Sequence, residues 1–213
     1  MIKIKICGIT TFADAAAGIE AGADMLGFNF YRLSARYIEP AKANEIIQRV
    51  KIEELNNASL VGVFVNEAVE SIVQIAKDLT LDAIQLHGDE TPKICARVKA
   101  ALPDKTIIKA LRVNGGFDPQ TALDYELADI MLDAFHEEMR GGTGRIIDWG
   151  VARATRAIVP HLFLSGGLSP ENVAEAVARV QPFAVDACSS LESLPGRKDA
   201  SRMKEFVRAA RNG

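Results

Sequence analysis

Short apolar runs alternate with amphipathic runs along the whole chain, and this alternation restricts the fold more than any single motif. Strands are predicted at 2–7, 24–30, 60–65, 83–86, 106–110, 130–132, 162–164 and 183–185, and helices at 11–21, 41–50, 68–79, 92–100, 119–125, 148–158, 170–179 and 200–210. In the first strand Ile2, Ile4 and Ile6 alternate with lysines, and Thr10-Thr11 supplies a cap for the first helix. Eight strand–helix units in 213 residues give roughly 27 residues per unit. Strands separated by helices form a parallel sheet with right-handed crossovers. Eight such units match the compact end of the eight-fold β/α barrel. The competing architecture, an open doubly wound sheet, has fewer strands and a glycine-rich first turn. Here that turn reads Cys7-Gly8-Ile9-Thr10, without the G-x-G-x-x-G pattern. The expected fold is therefore α/β, a single eight-fold β/α (TIM) barrel over residues 1–213, with no linker or low-complexity tract.

Composition removes several function classes. With 48% hydrophobic and 25% charged residues the chain is neither disordered nor a coiled coil. A formal net charge of -3 is not the footprint of a nucleic-acid binder, although a local pocket for an anion remains compatible with it. Three widely spaced cysteines, Cys7, Cys95 and Cys188, make neither a disulfide framework nor a zinc motif. No signal peptide and no membrane-length apolar run is present. The expectation is a cytoplasmic protein with no membrane or nucleic-acid partner, present as a monomer or weak homo-oligomer.

The longest irregular stretches, 31–40, 134–145 and 187–199, all follow predicted strands. In a barrel those strand ends form the catalytic face, and long loops in a compact fold tend to be functional. Cys7 ends strand 1, where it is either a small buried apolar residue or a thiolate base or nucleophile. Asp133 follows strand 6, as a turn cap or as a general acid or base. Ser165-Gly166-Gly167-Leu168-Ser169-Pro170 follows strand 7, with Ser169 and Pro170 suited to cap and open a helix. Glycine amides at a helix N-terminus hold phosphate, and the loops after strands 7 and 8 are the usual phosphate site of a barrel. Asp186-Ala187-Cys188-Ser189-Ser190 after strand 8 adds amides and hydroxyls beside them. Arg32 and Arg36 after strand 2 are carboxylate forks or solvated loop cations. His87 after strand 4 contacts substrate or satisfies loop backbone, while His136 and His161 show no metal spacing. Gly141-Gly142-Thr143-Gly144 suggests a mobile lid, or amides aimed at an anion.

Read together, these segments resemble the phosphoribosylanthranilate isomerase family of tryptophan biosynthesis. The matching pieces are KICGIT (5–10), GADMLGFNF with SARYI (34–38), VGVFVN (61–66), QLHGDE (85–90), MLDAF with GGTGRIIDW, LSGGLSPENV (164–173) and VDACSSLE with PGRKD (195–199). The resemblance implies an Amadori rearrangement of N-(5'-phosphoribosyl)anthranilate to 1-(2-carboxyphenylamino)-1-deoxyribulose 5-phosphate, with no cofactor and no metal. It implies Cys7 as general base, Asp133 as general acid and Arg36 as holder of the anthranilate carboxylate. His87, Gly142, Gly166, Gly167, Ser189 and Ser190 are the further residues expected to bind the phosphosugar.

Two departures from the family pattern matter. Ala35 stands where a proline is usual, which is expected to loosen the loop carrying Arg36. DACSSLE stands where a segment like DVSSGVE is usual, so Cys188 replaces a serine and Ser190 a glycine; Ser190 is strained if that position needs a positive φ. Other phosphosugar barrels are weaker alternatives. Indole-glycerol-phosphate synthase would need a strand-end lysine, for which Lys109 is the one candidate, and a ribulose-phosphate epimerase would need clustered histidines. A non-catalytic phospho-ligand binder would have lost Cys7 or Asp133, and both are present.

Overall fold

Eight strands pair in parallel, each with its sequence neighbour, and the last returns to the first to close a barrel. In the computed structural model, which describes residues 1–53, 55, 58–134 and 147–213, these strands are β1 (Lys3–Cys7), β2 (Met25–Asn29), β3 (Ser59–Phe64), β4 (Ala83–Leu86), β5 (Thr106–Val113), β6 (Asp129–Ala134), β7 (His161–Leu164) and β8 (Ala184–Ala187). The helices around them are α1 (Phe12–Ala21), α2 (Pro40–Ile52), α3 (Val69–Asp78), α4 (Pro92–Ala101), α5 (Trp149–Arg156), α6 (Val173–Val180) and α7 (Ala200–Asn212). Local chemistry sets their ends. The Thr11 hydroxyl accepts from the Asp14 amide to start α1, and Gly22 at φ 95° ends it in the left-handed region. Asp199 opens α7 by accepting from the amides of Ser201 and Arg202. Among the described residues no helix is long and apolar enough to cross a membrane.

Four expectations need correction. The segment at 119–125 is a 3-10 turn, because within it only Ala122 is buried and seven residues with no apolar stripe cannot sustain α-helical turns. The helix expected from residue 170 begins at Val173. Asn172 is the reason: its side chain accepts from the Ser169 amide at 2.9 Å and donates to the Gly167 carbonyl at 2.9 Å, closing a separate turn first. Strand β8 runs on to Ala187, so Asp186 belongs to the barrel wall and not to the loop after it. The stretch at 187–199 is ordered too, with a 3-10 turn (Ser189–Leu191) and a hairpin of β9 (Glu192–Leu194) and β10 (Arg197–Lys198). The glycine run at 141–144, with Gly142 and the expected lid, and His136 lie outside the described residues.

A strand in a closed barrel is covered on both sides. Ile4 and Ile6 of β1 pack outward in the main core, under the helices, while Lys5 points to the axis and bonds Asp186 across the seam with β8. Met25, Val61, Ala83, Ile108, Ala110, Met131, Phe163 and Ala184 form an apolar cluster inside the barrel. Two residues further along the same chain directions, the inward positions turn polar: Gln85 after Ala83, Asp133 after Met131, Ser165 after Phe163 and Asp186 after Ala184. The barrel is thus plugged below and chemically equipped at its C-terminal end.

Strand β5 continues to Val113, which puts Lys109 in mid-strand and not at a strand end. Its ammonium is buried and held by Glu90 at 2.7 Å and by the Gly88 carbonyl at 2.8 Å, away from the residues lining the mouth. Glu90 also accepts from the amides of Asn66 (2.7 Å) and Gly88 (2.9 Å), so one carboxylate fixes the loops after β3 and β4. Replacing Glu90 with Ala strands a buried cation and two amides. Urea unfolding of Glu90→Ala should show a loss of about 3–5 kcal/mol; a loss under about 1 kcal/mol, the scale of an exposed pair, would show that Lys109 does not need this partner.

Candidate active site

The C-terminal strand ends surround one cleft, lined by Cys7, Asn29, Tyr31, Arg36, Gln85, His87, Asp133, Ser165, Asp186 and Cys188 among others. A larger cavity, about 270 Å³, opens at the opposite end of the barrel around Lys3, Asp24, Asp129 and His161. Size does not choose between them. The residues with coupled proton chemistry converge on the first, and the apolar plug, including Met25, Ile108 and Phe163, separates the two.

At the floor of the cleft the fully buried Lys5 ammonium donates to Asp186 at 2.7 Å, and the Ser165 hydroxyl donates to the same carboxylate at 2.9 Å. Burial disfavours the charged form of Lys5, but the negative charges of Asp186 and Cys7 outweigh it and raise its pKa. Gly27 makes room for this arrangement. A Cβ there would stand 2.9 Å from Cys7 Sγ and 3.1 Å from Lys5 Nζ. The Cys7 thiol is drawn well below the usual thiol range, first by a hydrogen bond from Cys188, then by the charges of Lys5 and Lys198, against the opposing effect of burial. Cys188 is pushed the other way by the same hydrogen bond and by burial. A carboxylate also faces it, with Glu192 Oε1 3.8 Å from its sulfur. Both directions favour the thiolate on Cys7 and the proton on Cys188.

Across the cleft, Asp133 is almost fully buried and accepts from its neighbouring amide, Ala134, at 2.9 Å. His87 joins it, with Nδ1 2.7 Å from Gln85 Nε2 and Nε2 3.0 Å from Asp133 Oδ2. Arg36 lies at the rim with its fork on Glu192, Nη2 to Oε2 at 2.7 Å and Nε to Oε1 at 3.1 Å. Among the described residues its Nη1 has no acceptor. In the loop that carries Ala35, Ser34 Oγ accepts from the Arg36 amide and from Asn29 Nδ2, both at 3.1 Å.

Gly166 and Gly167 both adopt positive φ, 84° and 69°. A Cβ on Gly166 would strike the Ala134 amide at 2.6 Å. Among the described residues the amides of these two glycines meet no acceptor. Ser190 carries no positive φ; its hydroxyl donates to the Leu168 carbonyl at 2.5 Å, tying the loop after β8 to the loop after β7. The expected residues Cys7, Arg36, His87 and Asp133 thus share the cleft, and Gly166, Gly167, Ser189 and Ser190 sit in the two loops that adjoin it. Lys5, Asp186, Glu192 and Lys198 were not anticipated. Two of them, Lys5 and Asp186, are inward-facing charges on strands. Among the described residues no group of three His, Cys, Asp or Glu side chains is placed to hold a metal.

Residues 4–209 match the family model described as N-(5'phosphoribosyl)anthranilate (PRA) isomerase. The chain belongs to this isomerase family. A relative from Trichlorobacter lovleyi bearing that enzyme name is 43% identical over 99% of this chain and 98% of its own. The crystal structure of phosphoribosyl anthranilate isomerase from Thermotoga maritima superposes with a TM-score of 0.89 at 40% identity, each chain covered in full. Another crystal structure of the family enzyme, at TM-score 0.86 and 40% identity over the whole of both chains, holds reduced 1-(o-carboxyphenylamino)-1-deoxyribulose 5-phosphate.

The thiol pair is open to direct measurement. Iodoacetamide alkylates thiolates, so alkylation of Cys7 should rise with pH through a midpoint well below the ~8.5 of a free thiol. Below that midpoint the sulfur is protonated and the reaction fades. Cys188→Ala removes the donor and should move the midpoint upward, as read by mass spectrometry of the Cys7 peptide. An unshifted midpoint in both proteins would refute the coupling.

Proposed function

We propose that the cleft carries out the family's Amadori rearrangement of N-(5'-phosphoribosyl)anthranilate with Cys7 as base and Asp133 as acid. The observation that carries this reading is a thiol close to the buried Lys5 ammonium, facing a buried aspartate paired with His87 across one barrel mouth. Asp133 gives a proton to the ribose ring oxygen as the C1'–O bond breaks, and the anthranilate nitrogen becomes an iminium. Cys7 then takes the proton from C2', the electrons flow to the iminium, and the enolamine relaxes to the ketose. His87 keeps the Asp133 carboxyl fixed from the side away from Ala134.

Binding comes from the two charged ends of the substrate. Arg36, oriented by Glu192, offers its remaining nitrogen to the anthranilate carboxylate. The free amides of Gly166 and Gly167, with Ser189 and Ser190, receive the phosphate. Gly142 is assigned to the same substrate by family resemblance. These remote contacts orient the sugar between base and acid. Free thiols suit a reducing cytoplasm.

The test is a fluorescence assay with freshly prepared substrate. Cys7→Ser and Asp133→Asn should each lower kcat by roughly two to four orders of magnitude, the worth of a positioned proton-transfer group, while circular dichroism stays that of the parent. Near-parent turnover in either variant removes that residue from the mechanism, and a sugar adduct trapped on Cys7 would make it a nucleophile instead. Gly167→Asp sets a carboxylate against the phosphate and forces a side chain into a left-handed backbone position. Its KM should rise by more than about tenfold, as expected when a binding contact of a kcal/mol or two is reversed; an unchanged KM would move the phosphate elsewhere.

A further inference from the structure

The pairing that closes the barrel also brings two cysteines together. Strands β1 and β8 run parallel with Ile6 opposite Ala187. Cys7 and Cys188 are the residues that directly follow this last pair on the two chains. Paired strands lie about 4.8 Å apart, within the ~4.4–6.8 Å between Cα atoms that a disulfide spans. The side chains converge as well: both thiols line the same cleft. Gly8, at φ 79°, permits the approach, since a Cβ there would stand 2.9 Å from Cys188 Sγ.

We propose that Cys7 and Cys188 are a peroxide-reactive thiol pair, in which Cys7 is oxidised first and Cys188 resolves it as an intramolecular disulfide that a thiol reductant reopens. The Cys7 thiolate attacks one oxygen of hydrogen peroxide; the S–O bond forms, the O–O bond breaks, and hydroxide leaves. The Cys188 sulfur then attacks the Cys7 sulfur. The S–S bond forms, the S–O bond breaks, and the departing hydroxide takes the Cys188 proton as water. The hydroxide of the first step takes up the proton that Cys7 released on becoming the thiolate, so the two thiols lose two electrons and two protons in all and one peroxide becomes two waters.

The surroundings favour each step. Lys5 beside Cys7 supports the thiolate that attacks. Lys198 Nζ lies 3.6 Å from Cys188 Sγ and supports the second sulfur as its proton departs. Cys188 is half-buried and Cys7 is 8% exposed at the open cleft, which admits a molecule as small as peroxide. Cys95 has neither feature: it is sealed in α4, and burial pushes its thiol up to about 11. Loss of turnover on oxidation rests on the reading of Cys7 as base; the disulfide itself does not.

Purified full-length protein is treated with hydrogen peroxide, quenched, and followed by intact mass, non-reducing peptide mapping and turnover. The expected result is a mass lower by two hydrogens, a linked Cys7–Cys188 peptide, and turnover at least about a hundredfold lower, the minimum worth of a general base. Dithiothreitol should restore both mass and activity. Cys188→Ser, compared with its own untreated sample, should gain oxygen atoms on Cys7 and recover little, because no resolving thiol halts further oxidation. Cys95→Ser should follow the parent. The linkage is read in the unaltered chain, so it does not depend on either variant folding. Oxygen addition at Cys7 with no linked peptide in the parent overturns the pair. A linked peptide with full turnover upholds the pair and overturns Cys7 as the base.

Discussion

A lysine ammonium inside a barrel needs an anion, and the mouth of this one is organised around meeting that need. Lys5 is fully buried, with Asp186 at 2.7 Å, and Ser165 steadies the same carboxylate. A pair of this kind adds little stability compared with apolar packing. Its effect is electrostatic: it keeps a buried positive charge beside the Cys7 sulfur. The missing side chain of Gly27 is part of the same device, because any Cβ there would occupy the space in which the thiol and the ammonium meet.

Around this centre lies a ring of side chains that joins three loops. Glu192 receives Arg36 from the loop after β2 and Lys198 from β10, and Lys198 also donates to the Cys188 carbonyl at 2.9 Å. The Thr10 hydroxyl bonds the Gly196 carbonyl at 2.5 Å from the other side of the seam. The β9–β10 hairpin thus acts as a clamp on the first two loops of the chain. Glu192 is held below the usual carboxylate range because Arg36 and Lys198 outweigh its burial, so it stays charged and keeps both cations in place.

The barrel was legible because eight apolar segments alternate with eight amphipathic ones, a pattern that survives errors of a few residues at each boundary. Cys7, His87 and Asp133 were legible because they stand at strand ends, where a barrel exposes its chemistry. Lys5 was not. In a strand covered on both faces, alternation of lysine and isoleucine does not say which set points to the axis; the partner at Asp186 decides it, and that partner is 181 residues away. Glu192 and Lys198 carry no periodic signal, since their roles exist only once the hairpin has folded. The start of α6 was misread for a local reason: Ser169 and Pro170 are good helix openers, but the Asn172 side chain competes for the same backbone groups and wins.

The seam of the barrel lies between its first and last strands, and half of the thiol pair lies on each side of it. A ribosome adding about 5–20 residues per second releases Cys7 on the order of ten to forty seconds before the segment that carries Asp186 and Cys188. During that interval Lys5 has no counter-ion and Cys7 has no donor, so the thiol of the nascent chain is an ordinary, weakly reactive one. Activation waits for the final strand to dock. A chain that stops before β8 cannot possess the assembled centre.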